Sequence, residues 1–442
     1  MNEPLFTTDA LRAIFSPSAR LSRMLEFEAA LAQVEANVGV IPKHAGDVIE
    51  RHCDVSRFEV DAIEKAAQDA GNLAIPLVAA LTRDVAQEDA EAGGFVHYGA
   101  TSQDAIDTGL MLQLRDALVV IEADLARLST ALAGLARKHA TTSIAGRTWL
   151  MHAAPTTLGV KLAAIVSALD RDRDRIASAA EHALVLQFGG AVGTLASLGD
   201  KGIAVAEALG ARLGLRVPDM PWHTERDRIC EIAAALGVMT ATLGKLARDL
   251  ALLAQSEVGE AAEPSAPGRG GSSTMPQKRN PVGASIALAA SIRVPGLVAT
   301  MLHAAVQEHE RGLGNWPAEW ETMPQIAMLA GGALRAMAAV AEGLDVDKAR
   351  MAENLDITHG LIFAEAVQMA LAPTLGRDAA HTLVASACRR AVEKRVHLRD
   401  ILEREATIGR VLDRKALDRL FDPANYIGES RAFIERALAH HR

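Results

Sequence analysis

The residues best suited to chemistry lie in one run, Gly268-Arg-Gly-Gly-Ser-Ser-Thr-Met-Pro-Gln-Lys-Arg-Asn-Pro281. Its glycines, with Pro264 and Pro267 ahead of them, give a backbone that can take positive φ and move. Ser272, Ser273 and Thr274 add hydroxyls, and Lys278, Arg279 and Asn280 add a dense set of donors. Pro281 suits the first turn of a following helix, whose free N–H groups and positive dipole end would face an anion. These types in this order predict a loop that closes over an anionic ligand with a hydroxyl beside the charge. A flexible linker would share the composition but has no need of the order.

Three other stretches carry reactive groups. In His97-Tyr-Gly-Ala-Thr-Ser-Gln-Asp104, Thr101, Ser102 and Asp104 are all suited to capping a helix. A capped helix start is also an anion site, so the two readings are compatible. Arg147-Thr-Trp-Leu-Met-His152 brings together a cation, a hydroxyl, an indole and an imidazole. A lone histidine is more often structural, and the spacing leaves open whether His152 reaches a ligand. His309-Glu-Arg-Gly-Leu-Gly-Asn-Trp-Pro-Ala-Glu-Trp320 sets Arg311 ahead of two tryptophans, either as an exposed turn with packing rings or as a cation for a carboxylate.

The order Gly271-Ser272-Ser273-x-Met275-Pro276-x-Lys278-x-Asn280-Pro281 resembles the signature loop of the fumarase/aspartase superfamily. The His-x-Gly-x-Thr-Ser-x-Asp stretch and the Arg147–Gly159 stretch resemble two further regions of those enzymes. The resemblance implies an all-α homotetramer of three helical domains, its sites shared between subunits, that acts on a small polycarboxylate without metal or organic cofactor. It implies that Thr101 and Ser102 hold a substrate carboxylate and that His97, Arg147 and Thr148 contact substrate. It further implies Ser272 as the carrier of the α-proton, with Lys278 and Asn280 holding the enolised carboxylate.

The departures are as informative. Adenylosuccinate and argininosuccinate lyases carry a histidine that protonates the leaving nitrogen where this chain has Trp149. The glutamate that pairs with that histidine is replaced by Ser285. Trp316, Pro317 and Trp320 stand where nucleotide-phosphate ligands are expected, and tryptophan cannot replace the planar guanidinium of a phosphate clamp. Arg311 remains, able to meet a carboxylate. This combination resembles the carboxymuconate-lactonising branch, in which an internal carboxylate adds to a diene and nothing leaves. The catalytic set then reads Ser272, Lys278 and His152, and Trp149 lines the pocket. Two alternatives are a fumarate-releasing lyase of the adenylosuccinate or argininosuccinate type, and a structural member like the lens crystallins.

The rest of the chain must position these groups. Its 442 residues exceed one compact core, and the 50% hydrophobic content is short of aromatics, at 3%. Alanine and leucine dominate and favour helix. A net charge of −9 argues against nucleic-acid binding. Cys53, Cys230 and Cys388 are far apart and odd in number, which fits buried inert thiols in a reducing cytoplasm. The N-terminus lacks a signal-peptide pattern, and no uncharged apolar run is long enough for a membrane span. Residues 1–100 read as a small helical domain, 101–350 as a long-helix bundle with the loop at 264–281, and 351–442 as a C-terminal helical domain. Seams at Ile121–Leu135 and Ile232–Leu253 alternate steps of four and three. They are expected to need cover from other subunits.

Overall fold

The computed structural model describes residues 4–264, 270–271, 274–275, 277–439 and 441, so Ser272 lies outside the described residues. About 71% of the chain is helix, and the described strands form only two two-stranded sheets. The protein is all-α, as the Ala- and Leu-rich composition predicts. Contacts divide it into two units, one of residues 1–125, 172–244 and 286–335, the other of 126–171, 245–285 and 336–442. The division falls within five long helices, Ser102–Lys138, Leu158–Ala183, Asp227–Leu253, Val282–Ala304 and Asn315–Glu342.

In the first unit the helix Pro17–Val38 is started by Ser16, whose hydroxyl accepts from the Ala19 amide, and stopped by Gly39 in the left-handed region. Its Leu21, Met24 and Leu25 pack with Ile49, Leu77, Leu81 and Trp316 in one apolar core. In the second unit Leu371, Val384, Leu398, Leu402 and Leu417 form the C-terminal core. The hairpin Ser143–Thr148/Met151–Thr157 contributes Ala145 to a smaller cluster with Leu355 and Phe363.

Two expectations need correction. Ile121, Leu125, Leu128 and Leu132 are buried within the single chain, and so are Ile232, Leu236, Met239, Leu243, Leu246, Leu250 and Leu253. Those seams need no outside cover. The uncovered apolar surface lies instead on Val282–Ala304, whose most apolar window is only 28% buried and which exposes Ile292 and Leu302. That helix, Asp227–Leu253 and Asn315–Glu342 are long and apolar enough, by length and composition alone, to cross a membrane, but charge interrupts each, at Arg293, Lys245 and Arg335, so no uncharged run of spanning length occurs in them. The latter two bury 61% and 67% of their windows inside the chain. The other correction concerns the thiols: only Cys230 is buried, and Cys53 and Cys388 are half-buried. Burial pushes all three thiols up, Cys230 to about 11, which keeps them protonated and unreactive.

Candidate active site

In the first unit the site residues gather at the start of the Ser102–Lys138 helix. The Asp104 carboxylate reaches back to the Thr101 amide (3.0 Å), while the Asp104 amide donates to the Thr101 carbonyl (2.9 Å). Asp104 is fully buried and also accepts from the Gly189 and Gly190 amides and from the Gln187 side chain. Capping is thus the work of Asp104, and the Thr101 hydroxyl does something else: it accepts from Arg311 Nη2 at 3.2 Å. An oxygen that accepts from a guanidinium keeps its own O–H to donate to a ligand. Ser102 is half-buried beside it, in the first helical turn, whose leading N–H groups have no helical partner. Thr101 and Arg311, 210 residues apart in sequence, are thereby brought together.

His97 has a backbone φ of 59°, unusual for a residue with a side chain. Its Nδ1 lies 2.6 Å from Glu28 Oε1, and Glu28 is buried on the Pro17–Val38 helix. Burial alone would lower the imidazole, but the Glu28 charge, its hydrogen bond and Asp104 outweigh it and hold His97 above its ordinary value of 6.5. Seven residues on, Glu35 is buried with neither carboxylate oxygen partnered among the described residues. Burial and the Glu28 charge push it up to about 9, so it is neutral at pH 7. A raised histidine stabilises the fold below its unfolded value and loses that contribution as pH rises through its folded value. Glu28→Gln is therefore expected to lower Tm more at pH 6 than at pH 9. Equal losses at the two values would mean that His97 is already neutral at pH 6.

Beneath Arg311 lies a buried ionic group. Arg226, fully enclosed, bonds Asp107 (2.7 and 3.2 Å) and Glu319 (2.5–3.1 Å). Burial would lower the guanidinium, but the two carboxylates raise it further, so it stays charged. Removing one partner of such a group leaves an uncompensated charge and costs about 3–5 kcal/mol. Trp316 is buried in the adjoining core, with its indole N–H on Asp107 Oδ1 at 3.0 Å. Trp320 meets it edge-to-face at 4.9 Å and packs against the same core. Trp316 is a core residue and Trp320 a half-buried one packed against it, and the two begin a long helix where a turn was one expectation.

In the second unit the hairpin turns at Trp149-Leu150, with φ of 54° and 65°. Thr148 faces Met151 across this two-residue turn, so it has the positive-φ form that suits the strand twist and normally calls for Asn-Gly. Trp149 is 98% exposed, and Leu150 and Met151 are mostly exposed too. Gly146 forms the bulge below, where a Cβ would meet the Ala154 carbonyl oxygen at 2.5 Å. Arg147 pairs across the strands with His152 and bonds the buried Glu260 at two points (2.7 and 2.8 Å). Asn354 completes that contact at 2.8 Å. His152 is half-buried with Nδ1 unpartnered; burial first, then Arg147, lowers it against the pull of Glu260.

Among the described residues of the signature loop, Lys278 and Asn280 line one cavity of about 710 Å³ together with Met275, Gln277 and Glu263. The Asn280 amide donates to the Gly270 carbonyl at 2.8 Å and closes the neck. A Cβ at Gly270, whose φ is 66°, would meet Asn280 O at 2.7 Å. Arg279 lines the same cavity, with its guanidinium engaged by Asp345 (3.1 Å) and the Glu263 carbonyl (2.5 Å). The helix start after Pro281 is not free for a ligand: the Glu263 carboxylate takes the Gly283 and Ala284 amides at 2.9 and 2.7 Å.

His97, Thr101, Ser102 and Arg311 thus belong to the first unit, and Arg147, Thr148, Trp149, His152, Lys278 and Asn280 to the second. Sequence reasoning missed Glu28, Glu260, Glu263 and the Asp107–Arg226–Glu319 group. A signal existed for Glu28 and Glu35, which fall among apolar positions on the buried side of their helix. No cluster of histidine, cysteine and carboxylate side chains suited to a metal occurs among the described residues.

A lyase family model matches residues 5–296, and a model of the adenylosuccinate lyase C-terminus matches residues 360–437. The chain belongs to this lyase family, within the fumarase/aspartase superfamily. It is 54% identical over 436 residues to the 3-carboxy-cis,cis-muconate cycloisomerase of Pseudomonas aeruginosa, covering 99% of this chain and 95% of that one. Identity to the enzyme of that name from Bradyrhizobium diazoefficiens is 50%, covering 98% and 96%. The crystal structure of the 3-carboxy-cis,cis-muconate lactonizing enzyme from Pseudomonas putida superposes with a TM-score of 0.95 at 51% identity, covering 100% of this chain and 98% of that one.

Proposed function

We propose that the protein is an intramolecular lyase that converts 3-carboxy-cis,cis-muconate to a carboxymuconolactone, in the protocatechuate branch of the β-ketoadipate pathway. One carboxylate oxygen of the substrate adds to the conjugated double bond and closes the ring. The displaced electron pair moves into the neighbouring carboxylate, which becomes enolised, and the α-carbon then takes a proton. Nothing leaves, so no acid is needed for a leaving group. The observation that carries this reading is Trp149 at the exposed hairpin tip, a side chain whose indole N–H is far too weak an acid to protonate a leaving group. Ser285, also exposed, offers no carboxylate partner for an imidazole.

In this reading Thr101, Ser102, Arg311 and His97 hold substrate carboxylates, and Arg147 and Thr148 set the hairpin that presents Trp149. Lys278 and Asn280 stabilise the enolised carboxylate, and Ser272 delivers the α-proton. Purified protein mixed with 3-carboxy-cis,cis-muconate is expected to consume the diene absorbance and yield the lactone. Fumarate release from adenylosuccinate or argininosuccinate at a similar rate would overturn the assignment.

The enzyme works in the cytoplasm as a homotetramer whose sites draw residues from several subunits; its domains are 1–100, 101–350 and 351–442. The bare apolar face of Val282–Ala304 and the strained, exposed Trp149-Leu150 turn support this arrangement, because other copies of the chain would cover both. Light scattering at micromolar protein is expected to give four times the chain mass of 46.8 kDa. A single chain mass would remove the shared site.

A further inference from the structure

Two motifs of the sequence, His97–Asp104 and His309–Trp320, meet at one buried amide, Gln103. We infer that Gln103 is a positioning residue that sets which part of the Arg311 guanidinium faces the substrate, and that Trp316 and Arg226 hold it in place through Asp107. This rests on the proposed role of Arg311 as a carboxylate ligand.

Gln103 is fully buried. Its Nε2 has two hydrogens, and both are taken, one by the His223 carbonyl at 2.8 Å and one by Asp107 Oδ2 at 3.0 Å. Its Oε1 accepts from Arg311 Nε at 3.0 Å. The opposite orientation of the amide would set an oxygen against two acceptors and an NH₂ against a cation, so only one orientation is tolerable in a buried site. Arg311 Nη2 donates to Thr101 Oγ1 and to the Ala191 carbonyl, both at 3.2 Å. Of the five guanidinium hydrogens, three are therefore committed inside the protein, and Nη1 with its two is left for a ligand.

Asp107 is pinned in turn. Oδ1 accepts from Trp316 Nε1 and Arg226 Nη2, and Oδ2 from Arg226 Nη1 and Gln103 Nε2. The chain of contacts explains why an indole stands at 316: its single N–H holds a carboxylate in place while its rings fill the core. One short segment supplies both the His223 carbonyl for Gln103 and the Arg226 guanidinium for Asp107.

A residue that aims a binding arginine acts on substrate affinity, and its effect vanishes when that arginine is absent. The test is a double-mutant cycle of Gln103→Met and Arg311→Met, read as KM for 3-carboxy-cis,cis-muconate and, by calorimetry, as Kd for tricarballylate, a saturated tricarboxylate that cannot lactonise. Gln103→Met is expected to raise both constants about 10-fold, the scale of one hydrogen bond to a charged group, with kcat changed much less. In the Arg311→Met background it should change neither. The same factor in both backgrounds, or a fall in kcat alone, would overturn the role. Trp316→Phe keeps an aromatic ring in the core while removing the indole N–H together with the five-membered ring, so it serves should Gln103→Met not fold; a rise of about 3-fold is expected, again absent without Arg311, and unchanged constants would overturn the role. Wild-type protein that binds tricarballylate but leaves the muconate untouched would sink the proposed reaction, and the cycle would still be read on Kd. Wild-type protein that binds no tricarballylate overturns the role of Gln103.

Discussion

Lys278→Met is expected to lower turnover of the muconate by roughly 100- to 1,000-fold, the loss seen when a preorganised oxyanion donor is removed. The charge on the enolised carboxylate is the hard part of the reaction, and the structure narrows what can meet it. The Val282–Ala304 helix start was one candidate, but its Gly283 and Ala284 amides are already held by Glu263. Arg279 was a second, and its guanidinium is turned to Asp345 and the Glu263 carbonyl. Lys278 is exposed, lines the same cavity as Asn280, and has no ion pair among the described residues. Its amide is fixed to the Met275 carbonyl at 3.0 Å, and the next two residues are anchored, so methionine should leave the loop backbone in place. Stopped assays over a range of substrate concentrations separate kcat from KM. A variant that keeps its kcat would move the charge-stabilising role elsewhere.

What was legible in the sequence followed its periodicity. Ser102–Lys138 and Asp227–Leu253 were readable because leucine-rich steps of three and four persist for many turns. The hairpin was not. Its strands are short, one broken by Gly146 and the other by Pro155, and its turn is Trp-Leu, with none of the Asn-Gly chemistry that marks such turns. The helix from Asn315 was hidden by Pro317 and by reading the stretch for chemistry instead of for packing. Site residues on the named motifs were readable one stretch at a time. Their partners were not, because Glu260 meets Arg147 across 113 residues and Glu319 meets Arg226 across 93. Nothing local announces such a pair. The same limit explains the misplaced apolar surface: heptad-like spacing says that a seam exists, but which neighbour covers it is decided by tertiary packing.

Ser272→Ala is expected to cost turnover about 100-fold or more, the scale of general acid–base catalysis, with little change in substrate binding. Ser272 lies outside the described residues, so the structure bears on its rival instead. His152 is the one histidine in the Arg147–Gly159 stretch, and an acid there would compete for the α-proton. Burial and Arg147 lower its imidazole, so it is neutral at pH 7 and a poor proton donor. Were it the donor, activity would fall as pH rises through that lowered value, below the ordinary histidine range. With Ser272 as carrier, His152→Asn should leave turnover within about 10-fold of wild type, short of the 100-fold loss that marks a lost proton carrier, and should not shift the pH profile below 6.5. Solvent deuterium appearing at the α-carbon of the lactone gives the direct readout. Ser272→Ala should slow that incorporation in step with turnover, while His152→Asn should leave it intact. A collapse of both in His152→Asn, with the fall of activity at rising pH removed from the profile, would transfer the proton step to His152 and leave Ser272 to bind substrate.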